Sequence, residues 1–355
     1  MTTPAPTANI LPAPLRIGIL GCANIARQFA TAVGPSPYVR IAAVASRSAE
    51  TAAAFAAAHG IPSHHGRYEA LLADPAIDAI YIPLPNNLHA EWAIKAAQSG
   101  KHVLCEKPLA VGLSQAEAMF AAAREHRVML LEAFPYYFQP QTGDMLALLH
   151  SGAIGTVRTV QASFGFTLQN PHGNIRLNPE LGGGALLDAG SYPLSLIRLV
   201  MDEAPVRVMA HANWADSGVD ISMMATLYYA NGRSAQLSCA MDVANHRRAT
   251  IMGTRGTIET EYLNHTSDRT PHPSGYQPSQ LRVRRGVANT IPFEDIRSGT
   301  GSGFRFCAEA FATVIAAGDF AAIERAAAAS LDNATTLEAL ARSAVLGHTV
   351  DLTAA

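Results

Sequence analysis

The chain has 355 residues, 49% of them hydrophobic and 15% charged, with a formal net charge of −2. That length allows two domains with real cores, and that balance describes a globular chain, neither disordered nor fibrous. With no basic block and no apolar run near the ~18 residues of a membrane span, neither nucleic acid nor membrane is an expected partner.

The first residues, 1–14, carry Pro, Thr and Ala without a basic or continuously apolar segment, so a mobile tail is expected, not a secretory signal. From Leu15 to about Phe134, short apolar runs alternate with Ala-rich helical stretches. LRIGILG (15–21) reads as a strand and NIARQFATAV (24–33) as the helix that follows. IAAVAS (41–46) is a strand, and SAETAAAFAAAHG (48–60) is a helix closed by a glycine. The strand AIDAIYIPLP (76–85) precedes the helix HAEWAIKAAQSG (89–100). KHVLCE (101–106) precedes SQAEAMFAAAREHR (114–127), a helix with an expected Ser114 cap, and VMLLEA (128–133) is the next strand. Unbroken apolar strands alternating with helices predict a doubly wound parallel sheet covered on both faces. His64 and His65 read as a loop and not a metal site, because adjacent side chains on an extended segment point to opposite faces. No metal is expected.

Beyond about residue 150 the rhythm changes. TVRTVQASF, VRVMAHANW, ISMMATLYYA and SAQLSCAM lean towards period-2 alternation, as in a sheet with one packed face. Asn231–Gly232 predicts a tight type I′ hairpin between two of them. Residues 264–281 read as a polar Pro/Gly-rich loop. Helices return at FRFCAEAFATVIAAG (304–318) and NATTLEALARSAVLG (333–347). The expected division is a tail at 1–14, a Rossmann domain at 15–134, and at 135–355 an α+β domain with a largely antiparallel, open-faced sheet. Cys22, Cys105, Cys239 and Cys307 show no CxxC spacing and read as reduced thiols of a cytoplasmic protein.

The first strand runs into GCANIA (21–26). Gly21 and Ala26 fit the dinucleotide fingerprint, while Ala23 replaces its central glycine, so the turn alone is also compatible with an ordinary strand–turn–helix connection. Its place at the opening of the first helix would let Gly21, Cys22, Ala23, Asn24 and Ile25 surround a pyrophosphate. The second strand ends on Ser46 and Arg47, with no acid. A carboxylate there would repel a 2′-phosphate and a guanidinium would bind it, so NADP(H) is expected over NAD(H).

Three further segments stand in order: IPLPNNLH (82–89), CEKPL (105–109) and GGGALLDAGSYP (182–193). Together with the glycine turn they resemble the Gfo/Idh/MocA oxidoreductase family. The similarity is greatest to its branch of glucose–fructose oxidoreductase, dimeric dihydrodiol dehydrogenase and NADP-linked D-xylose dehydrogenase. The resemblance spans nearly the whole chain after the tail. It implies hydride transfer between NADP(H) and a carbinol or carbonyl carbon of a sugar, polyol or cyclic diol. Lys107 would reach the substrate oxygen and the nicotinamide ribose, with Tyr192 as second catalytic residue and Asp188 beside it. It also implies a cis Lys107–Pro108 bond. Leu84, Pro85, Asn87, His89 and Glu106 would complete the nucleotide site. Phe134, Tyr136 and Arg176 would contact substrate, with Asn178 a further candidate.

In EAFPYYFQPQ (132–141), Tyr137 and Gln139 stand where this branch has Arg and His, so no relative's substrate transfers directly. An α-helix through 188–192 would place Asp188 and Tyr192 on one face, and Pro193 fits best if the main helix begins near Ser191. Family likeness further implies a homodimer or homotetramer joined through the open sheet. Two alternatives stay open: a ping-pong sugar oxidoreductase that holds its NADP permanently, and a non-catalytic NADP-binding sensor or scaffold.

Overall fold

The computed structural model describes residues 13–269 and 275–352. Most of the expected N-terminal tail, and residues 270–274 of the expected loop, lie outside the described residues. Two compact units emerge, one of 13–138 with Ser302–Ser330, the other of Gln139–Gly301 with 331–352. By contacts the first unit runs on to Phe138, and a late segment of the chain joins it.

In the first unit, β1 (Leu15–Leu20), α1 (Asn24–Val33), β2 (Val39–Ala45), α2 (Ala49–His59), β3 (Ser63–His65) and α3 (Tyr68–Leu72) lead to β4 (Ala79–Ile82). Next come α4 (His89–Gln98), β5 (His102–Glu106), α5 (Leu113–Glu125) and β6 (Leu130–Ala133). The six strands are parallel in the order β3-β2-β1-β4-β5-β6. All four residues of β4 and Val103, Leu104 and Cys105 of β5 are buried, which explains their unbroken apolar sequence. Strand order reverses between β1 and β4, and the crevice beyond their carboxyl ends is where such sheets bind ligands. Ser48 caps α2 by accepting from the Thr51 N–H, and Gly60 closes that helix in the left-handed region.

Two expectations need correction here. His64 and His65 are not in a loop but in β3, paired in parallel with β2; His64 is exposed while His65 Nε2 meets Asp74 Oδ2 at 3.1 Å. Helix α5 begins one residue earlier than predicted, at Leu113, with Gly112 at the cap and no side-chain cap bond, so Ser114 lies within the first turn.

The second unit opens with α6 (Pro140–His150) and continues through β7 (Val157–Thr167), α7 (Ser191–Met201), β8 (Arg207–Trp214) and β9 (Asp220–Tyr228). It goes on with β10 (Ser234–Ala240), β11 (Asp242–Gly253), β12 (Gly256–Thr260), β13 (Leu281–Arg285) and β14 (Glu294–Ile296). The helix α8 (Gly303–Ala317) belongs to the first unit. There Ser36 Oγ donates to Glu309 Oε1 at 2.8 Å, and Phe304 meets Phe29 edge-on. Helix α9 (Ala321–Leu346) runs 26 residues and starts well before the expected 333, because the preceding Ala-rich run continues the same helix. Last comes β15 (Val350–Asp351), and the nine-stranded sheet has the order β14-β13-β12-β11-β7-β10-β9-β8-β15. Its pairs are antiparallel except β7 with β10.

Register fixes the two faces of this sheet. Ala162, Leu237, Ala225 and Ala210 align across β7, β10, β9 and β8 as a buried row, and α7 packs on β7 and β10. One residue along, Ser163, Ser238, Met224 and His211 form an outward row; the next such row is Gln161, Gln236, Thr226 and Met209. Over these four strands the open face is therefore mostly neutral and polar, set with two methionines, while beyond β7 the same rows run on to Arg248, Glu259 and Arg282.

The Asn231–Gly232 hairpin also differs. Only Gly232 has positive φ, at 71°, and the Gly232 N–H donates to the Tyr229 carbonyl while Tyr229 and Arg233 still pair. This is a three-residue loop with a bulging glycine, not a two-residue type I′ turn.

Arg127, just past α5, is exposed and held at φ 52°, a conformation that favours glycine. Arg127→Gly is expected to raise stability by about 0.5–1 kcal/mol, measured as a shift in the urea midpoint at unchanged slope.

Candidate active-site residues

In the first unit the expected nucleotide residues gather at strand exits. Gly21 has φ 117°, and a Cβ there would stand 3.0 Å from Leu84 Cδ2, so glycine is needed both for its backbone and for this close approach. Ala23 takes φ −66°, ψ 165°, ordinary for alanine, and is exposed; its methyl costs the turn nothing. It is also the N-cap of α1 and makes no side-chain cap bond, so the first N–H groups of α1 are left for an anion. Asn24 is exposed and Ile25 half-buried, while burial raises the half-buried Cys22 thiol. At the exit of β2, Ser46 Oγ accepts from the Ser48 N–H, and Arg47 is exposed, its charge close enough to the Tyr68 hydroxyl to oppose the rise that burial gives its pKa. Past β4, Leu84, Pro85 and Asn87 are half-buried, and Asn87 Oδ1 is a buried acceptor with no hydrogen-bond donor. A free helix N-terminus, an exposed guanidinium and an orphaned amide oxygen all fit a phosphorylated dinucleotide.

His89 behaves differently from its neighbours. Its ring is fully buried, with Nδ1 2.9 Å from the Pro108 carbonyl oxygen and Nε2 2.9 Å from that of Leu84. Expected as a cofactor contact, it lies buried between two loops, and a neutral ring can donate to only one of the two carbonyls. Burial, reinforced by the Lys107 ammonium, lowers its pKa.

Glu106 ends β5 buried and accepts from Tyr81 Oη at 2.6 Å, while the Tyr81 ring stacks on Phe29 with centroids 3.8 Å apart. Lys107 follows, half-buried, and the Lys107–Pro108 bond is cis, as the resemblance implies. Sequence reading passed over Glu132 within its EAF run. Its buried carboxylate accepts from the Leu109 N–H at 2.8 Å and from Ser330 Oγ at 2.6 Å. Burial pushes this carboxyl up to about 7, against the pull of its two donors and of Lys107. Phe134 and Tyr136, expected at the substrate, are both buried and meet edge-on at 6.1 Å.

The second unit carries Tyr192. Leu186–Gly190 forms a π-helical turn that leads into α7 at Ser191, so Pro193 falls in the first turn of α7, as expected. The wider turn removes the α-helical i,i+4 relation between Asp188 and Tyr192, which corrects the predicted shared face. Asp188 Oδ2 accepts from Arg176 Nε at 2.6 Å; Asn178 spends its side chain on the Glu180 N–H. Glycine is obligatory at Gly184, where φ is 112° and a Cβ would lie 2.2 Å from Asp220 Oδ1. Asp220 in turn accepts from the Leu186 N–H at 2.6 Å and holds the π-turn in place.

Tyr192 is buried, with its hydroxyl accepting from Asn264 Nδ2 at 3.1 Å and Phe164 edge-on at 5.4 Å. The Arg247 guanidinium lies 4.4 Å from the Tyr192 ring centre and 3.9 Å from that of Phe164. Gln139, at the position where the branch has His, donates to the backbone oxygens of Asn264 and Gly301, so it holds the loop that reaches Tyr192. Burial and Arg247 push the nearby His265 down to about 4, and its ring stacks on Tyr276. Asn264, His265 and Arg247 were missed because a polar loop and a basic strand gave no motif. Among the described residues no cluster of metal-binding side chains occurs, and no helix is long and apolar enough to cross a membrane.

Comparison with known proteins shows the family of the chain. A model of an oxidoreductase family with an NAD-binding Rossmann fold matches residues 15–134, and one of the GFO/IDH/MocA C-terminal domain matches 144–259. D-xylose 1-dehydrogenase (NADP(+)) 2 of Haloferax volcanii is 35% identical over 95% of this chain and 100% of its own. Trans-1,2-dihydrobenzene-1,2-diol dehydrogenase of Xenopus tropicalis is 38% identical over 68% of this chain and 74% of its own. A 3-ketoreductase of Actinomadura kijaniata, solved with NADP and TDP-benzene, superposes with TM-score 0.83 at 31% identity, covering 93% of this chain and 98% of that one.

The Glu132 carboxyl sits above its ordinary range near 4.5, so the folded state holds its proton more tightly than the unfolded chain. Its contribution to stability is complete below about pH 4.5 and is lost as the pH rises to about 7, at up to ~1.4 kcal/mol per pH unit. Glu132→Gln, which keeps an acceptor for Leu109 and a polar group for Ser330, should flatten that slope. Melting temperatures of the two proteins between pH 4.5 and 8 check it.

Proposed function

Because the chain belongs to the Gfo/Idh/MocA oxidoreductase family, we propose that it is an NADP(H)-dependent dehydrogenase or reductase. Its substrate is a sugar, polyol or cyclic diol, transformed at a CH–OH or C=O carbon. The observation that carries this reading is Lys107, delivered by a buried strand to the carboxyl edge of a doubly wound sheet. The nucleotide, when bound, supplies or takes up the hydride. Gly21 and the N-terminus of α1 hold its pyrophosphate, and Arg47 takes the 2′-phosphate that distinguishes NADP. The NADP(+) in the xylose dehydrogenase's name and the NADP in the ketoreductase structure support that choice.

Lys107 donates a hydrogen bond to the substrate oxygen and stabilises the negative charge that develops there. Tyr192 exchanges its hydroxyl proton with the same oxygen, with Asn264 orienting the phenol and Arg247 stacked on its ring. Asp188, paired with Arg176, lines the substrate side. The four free cysteines suit a reducing compartment, and we place the enzyme in the cytoplasm.

The chain forms a homodimer or homotetramer through the open face of its nine-stranded sheet. Over β7, β10, β9 and β8 the outward rows hold neutral polar residues with Met209 and Met224, the latter 71% exposed, and such charge-poor, methionine-bearing surfaces are characteristic of interfaces. Light scattering at micromolar concentration should give a multiple of the chain mass and a smaller species for Met224→Glu. A monomeric wild type would rule the interface out.

Kinetics on aldoses, polyols, dihydrodiols and deoxysugar ketones test the chemistry. Lys107→Ala should lower kcat by about 10²–10³-fold and Tyr192→Phe by about 10²-fold. Arg47→Ala should raise KM for NADP about tenfold while sparing NAD. Full turnover by Lys107→Ala on an accepted substrate would sink the mechanism.

A further inference from the structure

The peptide group that joins Pro108 to Leu109 is gripped at both ends. Its carbonyl oxygen lies 2.9 Å from His89 Nδ1, and its N–H donates to Glu132 Oε1 at 2.8 Å. Both gripping side chains are buried, His89 at 0% exposure and Glu132 at 7%, and they come from different elements, the start of α4 and the middle of β6. Glu132 is itself anchored, while His89 faces a second carbonyl. His89 Nε2 faces the Leu84 carbonyl at 2.9 Å, and Glu132 Oε2 accepts from Ser330 Oγ at 2.6 Å.

A peptide group is planar, so fixing its oxygen and its hydrogen fixes the orientation of the whole plane. That plane stands one residue beyond Lys107 and constrains the direction in which the backbone leaves it. From this geometry we infer that His89 and Glu132 are positioning residues for Lys107: together they lock the Pro108–Leu109 peptide plane and thereby aim the lysine side chain.

The ring tautomer decides whether His89 can do so. A neutral imidazole donates through one nitrogen only, and here both nitrogens face carbonyl oxygens. Burial and the adjacent Lys107 ammonium keep the ring neutral. The Nδ1–H form grips Pro108, whereas the Nε2–H form grips Leu84 and leaves the Pro108 carbonyl unbound on this side. The working enzyme carries the proton on Nδ1. Glu132 needs no such choice, since Oε1 accepts from Leu109 whether or not Oε2 is protonated.

The inference rests on Lys107 acting at the substrate oxygen, and its test separates the two. An asparagine amide nitrogen stands close to where imidazole Nδ1 was, and a glutamine amide nitrogen close to Nε2. His89→Asn should therefore keep kcat at least about tenfold above His89→Gln, and Glu132→Gln should keep it about tenfold above Glu132→Ala, with KM for NADP within about threefold throughout. The 15N shifts of His89 in the folded wild type should report Nδ1–H, a reading that needs no variant to fold. Equal kcat for His89→Asn and His89→Gln, wild-type kcat in Glu132→Ala, or an Nε2–H tautomer would overturn the clamp. Lys107→Ala is the control. If it is inactive while the His89 pair is equal, only the clamp fails; if it is fully active, the reading beneath the clamp fails.

Discussion

A parallel sheet covered on both faces leaves little room for unpaired charge along its strands, so most polar chemistry is driven to their carboxyl ends. In the first unit this constraint decides where almost everything of interest lies. Gly21 follows β1, Ser46 and Arg47 follow β2, Leu84 to Asn87 follow β4, and Lys107 follows β5. The buried carboxyls near these exits are tolerated only because each has donors: Tyr81 for Glu106, the Leu109 N–H and Ser330 for Glu132. Removing one such donor would leave an uncompensated buried acceptor within reach of the lysine.

The second unit solves a different problem, that of presenting one tyrosine from a helix start. A π-helical turn precedes α7, Asp220 holds that turn through the Leu186 N–H, and Gly184 leaves room for the aspartate. Around the phenol, Phe164 and Arg247 fix the ring and Asn264 its hydroxyl. The partners come from β7, β11 and a loop, far apart in sequence. The phenol is thus oriented by tertiary packing, and α7 alone could not do it.

How much of this could be read from sequence follows from where each signal resides. The first unit was legible because its strands are short, largely apolar runs between Ala-rich helices, and because EKP is a local motif; the triple glycine did the same for one turn of the second unit. β11 was not legible: its middle carries His246, Arg247 and Arg248, whose charge hides the strand, although Arg247 is half-buried on two aromatic rings. Glu132 looked like part of a motif, and its significance appeared only once Leu109 and Ser330 converged on it. The π-turn at 186–190 was illegible for a related reason, since an extra residue per turn leaves no mark on composition. Gln139 shows the reverse case, a departure noticed in the sequence whose meaning, anchorage of the Asn264 loop, needed the fold.

The return of α8 and the first part of α9 to the first unit bears on how the protein is made. A ribosome delivers residues up to 138 long before it delivers Ser302–Ser330, so the dinucleotide-binding unit cannot be completed while it emerges. Until then Glu309 is missing from Ser36, Phe304 from Phe29, and Ser330 from the Glu132 carboxyl. The sheet can assemble early, yet the carboxyl beside its lysine gains its Ser330 donor only after all of residues 139–301 have been made. The order of synthesis therefore makes the emergence of Ser302–Ser330, and not that of the Rossmann strands, the moment at which this half of the enzyme becomes whole.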